Sequence, residues 1–304
     1  MSETPRYDEL PRVEQLDLPI AWDVLPQAWG TLSFQGPDQV RRAAHAVRTG
    51  EVITLGLPLD AFDPPLFGRP ALRNAVTETA RNTFEDSITD LNPQASSQWD
   101  GLPHIRAREH GFFSGITDVS EAREALGVHH WAAKGIVGRG VLVDVVRAFQ
   151  RRNEPWDALS GQTVEPDDLA EALAADGVEL EAGDVLLVRT GWLAQTRARN
   201  EPATGDRFSG LASHDGMVRM LWDARVAAVG SDNPAVESAP GDVKNGSLHR
   251  KLIPALGYAL AELLDLDALA ERCVATGSTT FLFVAAPTPL RGAVSSPANA
   301  LAIL

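Results

Sequence analysis

The sequence predicts an α/β fold, and three observations carry that prediction. Four short apolar runs rich in β-branched residues, Gly140–Val146, Asp184–Thr190, Val226–Ser231 and Thr279–Ala285, read as buried strands. Segments with helical spacing of apolar residues lie between them, and alternation of strand and helix is the pattern of an α/β core. The chain of 304 residues is 44% hydrophobic, enough to bury a substantial core and to exclude global disorder.

Residues 1–36 are rich in Pro, Asp and Trp and have no sustained period. They predict an arm laid over the core, with Trp22 and Trp29 as anchors. Residues 37–304 are expected to form one domain, because no linker, repeat or low-complexity tract divides them. Within residues 37–49, Val40, Ala43, Ala44 and Val47 follow helical spacing, and Gly50 stops the helix. Glu51–Leu57 reads as a strand. Residues 58–92 carry Pro58, Pro64, Pro65 and Pro70 with weak periodicity, which predicts a long loop with broken secondary structure. Gly135–Gly140 lacks the glycine spacing of a dinucleotide fingerprint and reads as a turn before a strand. Pro166–Asp176 opens with acidic residues, which suit a helix N-terminus. Ser213–Ala224 offers Ser213 as a cap and Val218, Leu221 and Trp222 as its buried face.

With 27 basic and 41 acidic residues the net charge is −14, which disfavours nucleic acid or an anionic membrane as partner and leaves a small-molecule substrate. The lone Cys273 excludes an intrachain disulfide and a cysteine-based zinc site, and a buried structural thiol is expected. MSETPRYDEL has neither a basic nor an apolar leader pattern, and Leu252–Leu264 is interrupted by Pro254, Gly257 and Glu262. A soluble, cytoplasmic protein is therefore expected.

The most unusual segment is Asn92–His104, NPQASSQWDGLPH. Gln94, Gln98, Asp100 and His104 share even parity, so an extended chain points them to one face. Gln98 and Asp100 would stand about 6.6 Å apart along a strand, close enough to reach one ion. Gln94 and His104 would be about 33 Å apart in a straight strand and converge only if the chain bends. Pro93, Gly101 and Pro103 allow the bend. The alternative is a polar loop whose Gln and Ser side chains satisfy backbone groups. Elsewhere, Glu262 interrupts an apolar segment (GYALAELLDL), where a carboxylate needs a cation, a metal or a hydrogen-bond network. On one unbroken helix His249 and Glu262 would face about 220° apart, so they meet only if the chain turns at Pro254 and Gly257. The alternative places Glu262 on the polar face of a helix. The other histidines, His45, His110, His129, His130 and His214, suit packing, hydrogen-bonding or solvated roles, and no G-x-S-x-G elbow is present.

At this point the sequence resembles the metal-dependent cyclase family, which includes bacterial kynurenine formamidases and isatin hydrolases. The family motif H-x-G-T-H-x-D-x-P-x-H is matched by QASSQWDGLPH over Gln94–His104, with Asp100 and His104 kept and Gln94 and Gln98 replacing two histidines. AVRTGEVITLGLPL, GRGVLVD, AGDVLLVRTGW, AAVGSDNPAVE, LHRKLIPALGYALAELLDLDAL and SSPANALAIL match further family segments in order, so the resemblance spans roughly residues 37–304. The chain resembles a variant branch with S-S-Q-W-D-G in place of the histidine motif.

The resemblance implies a swivelling β/β/α fold on a mixed sheet or open barrel with flanking helices, and a homodimer or homotetramer. It implies a hydrolase that opens amide, formamide or lactam bonds of small, often aromatic, substrates with manganese or zinc. Asp100 is implied as metal ligand, His249 and Glu262 as a second ligand pair, and His104 as proton carrier. Gln98 and Gln94 complete the candidate ligands. An oxygen-rich set of this kind suits Mn²⁺, Mg²⁺ or Ca²⁺ better than zinc. Three outcomes stay open: a changed metal, a weakened one, or none. Trp99, Phe112, Phe113 and Trp131 are candidates for a substrate wall. The competing readings are a metal-free cyclase or isomerase with His104 as base, and a non-catalytic small-molecule binding protein.

Overall fold

The apolar runs pair into a single mixed sheet of nine strands. They are β1 (Val52–Thr54), β2 (Gln98–Asp100), β3 (Ile136–Asp144), β4 (Val185–Arg189), β5 (Ala228–Ser231), β6 (Ala259–Glu262), β7 (Thr280–Ala285), β8 (Ser295–Pro297) and β9 (Ala300–Ile303). Their spatial order is β8-β2-β6-β5-β4-β3-β7-β9-β1. The four central strands β6, β5, β4 and β3 run parallel, and every pairing outside them is antiparallel. Helices α1 (Pro37–Ala44), α2 (Val119–Leu126), α3 (His129–Lys134), α4 (Val145–Arg151), α5 (Pro166–Ala175), α6 (Trp192–Arg199), α7 (Asp215–Asp223), α8 (Leu248–Lys251) and α9 (Asp267–Thr276) flank it. The structure, a computed structural model, describes residues 4–13, 18–199 and 203–304.

The sheet must curl. Only Ala298 and Asn299 separate β8 from β9, yet the two strands stand seven places apart in the sheet. Three residue steps span about 10 Å at most, whereas seven flat strand spacings would need about 34 Å. Curling closes that gap and gives the open half-barrel that the resemblance implies. Trp99 of β2 and Phe283 of β7 accordingly meet edge-on across the concave side at 6.1 Å. The Leu57 amide, beyond β1, donates to Ser97 Oγ, ahead of β2, at 2.8 Å.

The expected central strands and helices are present, with three local differences. First, β3 begins at Ile136, so most of the expected turn at Gly135–Gly140 is strand. The glycines belong there for packing: Gly140 pairs with Phe281, and the Phe281 ring fills the space a Cβ on Gly140 would take. Second, the expected helix 37–49 ends at Ala44. Third, the expected loop of residues 58–92 contains a two-stranded hairpin, Arg73–Ala80 paired with Thr83–Thr89 and turned at Asn82, whose φ is 62°. Both hairpin strands are exposed along their length, so no core face imposed an apolar alternation that sequence reading could detect.

The described part of the N-terminal arm is stitched into the main core through Tyr7, Leu10, Ala21, Leu25 and Leu32. Trp22 Nε1 donates to the Pro254 carbonyl at 2.7 Å, whereas Trp29 is 40% exposed. Cys273 is buried as expected, and burial pushes its thiol up to about 12, which keeps it an inert packing group at neutral pH. Among the described residues no helix is long and apolar enough to cross a membrane.

Candidate active site

Strand pairing sets out the first half of the site. In the antiparallel β2–β6 pair, Gln98 lies opposite Glu262 and Asp100 opposite Leu260. Side chains alternate along a strand, so Gln98, Asp100 and Glu262 share one face while Trp99 points to the other. Gln98 Nε2 donates to Glu262 Oε2 at 2.5 Å. The second half comes from the turn at Pro254 and Gly257. After α8 the chain makes one π-helical turn, Leu252–Leu256, and Gly257 (φ 76°) redirects it into β6. His249 and Glu262 are thereby joined, with Nε2 and Oε1 2.8 Å apart. His249 Nε2 also stands 3.8 Å from Asp100 Oδ2.

The bend in Asn92–His104 completes the group. Asn92 Oδ1 accepts the Gln94 amide proton at the start of a short 3₁₀ turn, and the His104 amide donates to the Gly101 carbonyl. Gln94 Nε2 is thus placed 3.0 Å from Asp100 Oδ1 and 3.0 Å from His104 Nδ1. With one amide proton directed at each, His104 Nδ1 holds a lone pair and Nε2 the proton. The five residues Gln94, Gln98, Asp100, His249 and Glu262, together with His104, therefore converge, although they come from three separate parts of the chain.

Two further residues belong to this constellation. Glu237 Oε2 accepts the His249 amide proton at 2.8 Å and lies 3.4 Å from His249 Nδ1, while Ser247 Oγ donates to Glu237 Oε1. A carboxylate on the far nitrogen orients an imidazole and raises its basicity. The signal for Glu237 lay in AAVGSDNPAVE, which ends in an acid where the family segment does. Arg69, from the proline-rich stretch, donates through Nη1 to the Gln94 carbonyl. No periodic or motif signal marked it.

The electrostatics follow from burial and crowding. Burial pushes the Asp100 carboxyl up, but His104, His249 and Gln94 outweigh it and hold it below the usual value. Burial and the neighbouring Asp100 charge raise Glu262 to about 7, against the pull of His249. Burial alone would lower His249, yet the surrounding carboxylates of Asp100, Glu237 and Glu262 raise it well above 6.5. Burial lowers His104, and nearby Asp100 only partly offsets this. The site is thus two buried acids focused on one cation-seeking point.

A divalent ion fits that point. Asp100, His249 and Glu262 each offer a ligand atom, all within 4.8 Å of one another. Gln98 Oε1 is buried without a hydrogen-bond partner, an orphaned acceptor beside this cluster. Two carboxylates, an amide oxygen and one imidazole form an oxygen-rich donor set.

The aromatic candidates fall elsewhere. Trp99 points to the concave interior, where Nε1 donates to the Ala298 carbonyl, because it sits between two outward-facing neighbours on β2. Phe113 and Trp131 are fully buried in the main core, and nearly buried Phe112 lies under the Arg106 guanidinium. A separate cluster of Trp192, Phe208, Leu66 and Leu263, with Phe62 packed against it, adjoins the site through Leu263, next to Glu262. A cavity of about 300 Å³ lined in part by Phe208, Ala235, Glu237 and Ser247 lies alongside. Of the remaining histidines, His214 caps α7 in place of the expected Ser213, its Nδ1 accepting the Gly216 amide, and contacts Glu165, and His129 and His130 stack at the start of α3.

The fold has close counterparts among solved structures. A novel cyclase superposes with a TM-score of 0.80 at 26% identity, covering 94% of this chain and 99% of its own. Isatin hydrolase A from Labrenzia aggregata gives 0.59 at 18% identity, with 86% and 94% covered. A predicted metal-dependent hydrolase from Bacillus stearothermophilus gives 0.51 at 19%, with 83% and 97% covered. No curated protein sequence matches the chain. The model of the putative cyclase family matches residues 29–238, more than half of the sequence and with it β1 to β5, Asp100, His104 and Glu237. The superpositions, the Asp100–His104 pair and this match agree: the chain belongs to the putative cyclase family.

Proposed function

We propose that this protein is a metal-assisted, arylformamidase-like hydrolase that opens an amide, formamide or lactam bond of a small aromatic substrate. The observation that carries the reading is the convergence of Asp100, His249 and Glu262 on one point, with Glu237 behind the far nitrogen of His249. Asp100, His249, Glu262 and Gln98 would hold the ion, with Gln94 beside them. A divalent ion so held supplies a water of lowered pKa and polarises a substrate carbonyl. Glu237 keeps the His249 ring aligned. His104, neutral at pH 7, accepts a proton at Nδ1 once the Gln94 amide turns aside. Asp100, 3.7 Å from His104 Nε2, stabilises the resulting imidazolium until the proton passes to the leaving nitrogen. An oxygen-rich donor set favours manganese over zinc.

The test is elemental analysis by plasma mass spectrometry of the full chain purified without chelators, beside Asp100→Ala. Near-stoichiometric manganese or zinc in the wild type and its loss in the variant are expected, with hydrolysis of an aryl formamide that follows the metal content. No metal in either sample after incubation with Mn²⁺ and Zn²⁺ would turn the reading to a metal-free isomerase or a binding protein. The buried His249 would then serve the two acids as their cation.

Support for a homodimer or homotetramer comes from the hairpin. Its register pairs Asn74 with Ile88, Val76 with Asp86 and Glu78 with Phe84. Val76, Phe84 and Ile88 therefore share one face, exposed by 64, 64 and 49%. A lone two-stranded hairpin is marginal in water, and an apolar face on it calls for a cover. A Val76→Asp, Phe84→Asp double variant is expected to sediment as a monomer where the wild type sediments as an oligomer. An unchanged sedimentation coefficient would remove the hairpin from the interface.

A further inference from the structure

Asp100, Glu262 and His249 are nearly closed to solvent, with side-chain exposures of 2, 4 and 11%. His104 is more open at 27%, and Gln94 and Arg69 beside it are only partly buried. These three residues mark the solvent side of the site. Arg69 is the cation among them, and its circumstances are unusual. One guanidinium N–H goes to the neutral Gln94 carbonyl, and the group stacks 4.8 Å over the Phe67 ring. Among the described residues no carboxylate lies within ion-pair distance of it. Partly buried arginines ordinarily have such a partner, since a guanidinium removed from water needs its charge and its five donors satisfied.

Its charge nevertheless acts on the site. Burial lowers the Arg69 pKa while Glu262 and Asp100 raise it, and Arg69 in turn disfavours a proton on His104. Balancing the two acids is not sufficient reason for its presence. His249 already stands 2.8 Å from Glu262, and Arg69 bonds a carbonyl rather than either carboxylate. The guanidinium is held in place by Gln94 and Phe67 with donors left over, on the more open side of the site with His104.

We propose that Arg69 is the anion-binding residue of this site, and that the substrate is a carbonyl compound carrying a carboxylate beside the bond to be opened. The inference rests on reading the Asp100–His249–Glu262 cluster as the active site. A planar guanidinium pairs with a carboxylate through two parallel N–H···O bonds, a geometry lysine cannot reproduce. A neutral substrate would leave those donors capped on one side only.

The test uses binding, not turnover, so it fails independently of the hydrolase reading. Benzoate and its neutral isostere benzamide are titrated calorimetrically into the full chain, with and without added Mn²⁺. Wild type, Arg69→Gln and Arg69→Lys are compared after their melting temperatures are matched. Benzoate is expected to bind wild type about tenfold or more tighter than benzamide, the size of a charge-assisted hydrogen-bond contribution. Arg69→Gln should erase that preference without changing benzamide affinity, and Arg69→Lys should keep part of it. Equal affinities in wild type, no benzoate binding up to about 10 mM (−2.7 kcal/mol), or a preference that survives Arg69→Gln would each overturn the proposal. Failure of the metal experiment with the benzoate preference intact would overturn the hydrolase reading alone.

Discussion

His104→Ala is expected to lower turnover of an aryl formamide by a factor of about 10² to 10⁴, the usual cost of losing a general acid–base group. Metal content should be unchanged, because His104 lies outside the Asp100–His249–Glu262 cluster. That split between chemistry and metal binding separates a proton carrier from a ligand. The pH profile gives a second readout. Burial holds the His104 pKa below 6.5, so the ring is already neutral at pH 7. The acid limb of the rate should therefore fall at a pH below 6.5 and not across neutrality, since protonation removes the acceptor. Turnover that survives the substitution within threefold would leave His104 without a catalytic role.

Asp232→Ala is expected to destabilise the fold by about 3 kcal/mol or more, read by urea unfolding. Asp232 is buried at the end of β5 and accepts the Thr190 amide at 2.6 Å, Thr190 Oγ1 at 2.7 Å and the Gly191 amide at 2.8 Å. It clamps the chain leaving β4 to the chain leaving β5, the frame from which Glu237 and α8 approach the site. Alanine would strand two buried amides and a hydroxyl without acceptors. The cost of burying the charge shows in its titration: burial raises Asp232 from 3.8 to about 6, against its hydrogen bonds to Thr190 and Gly191. A group with a raised folded pKa contributes stability that is present below the unfolded value and lost as pH rises through the folded one. Between pH 4 and 6 this component should therefore decline by on the order of 3 kcal/mol. Asp232→Asn has no charge to bury and should lack that decline. A variant whose stability follows the wild-type pH curve through this range would refute the assignment.

Much of the fold was legible because the inner strands of a sheet covered by helices leave short apolar runs rich in β-branched residues. β3, β4, β5 and β7 announced themselves in this way. The hairpin at Arg73–Thr89 did not, because it is exposed along its length and only Val76, Phe84 and Ile88 mark its apolar face, too sparse an alternation to read. The opposite difficulty hid β6: Ala259–Glu262 is buried on all sides, so its period is invisible and a helix with Glu262 on a polar face read equally well.

The amino-acid sequence by itself determined the α/β class, the family and the residue types at the site. Those properties reside in local composition and in motifs a few residues long, such as QWDGLPH with its Asp100 and His104. Tertiary structure alone decided that Gln94 and His104 approach to 3.0 Å, that the turn before β6 joins His249 to Glu262, and that Trp99 faces away from the chemistry. It alone brought in Arg69, which no spacing marks, and set Glu237, the acid that ends AAVGSDNPAVE, behind His249. The reason is physical: a buried carboxylate or guanidinium is assigned its role by the partners and solvent around it, and those are set by contacts between residues far apart in the chain.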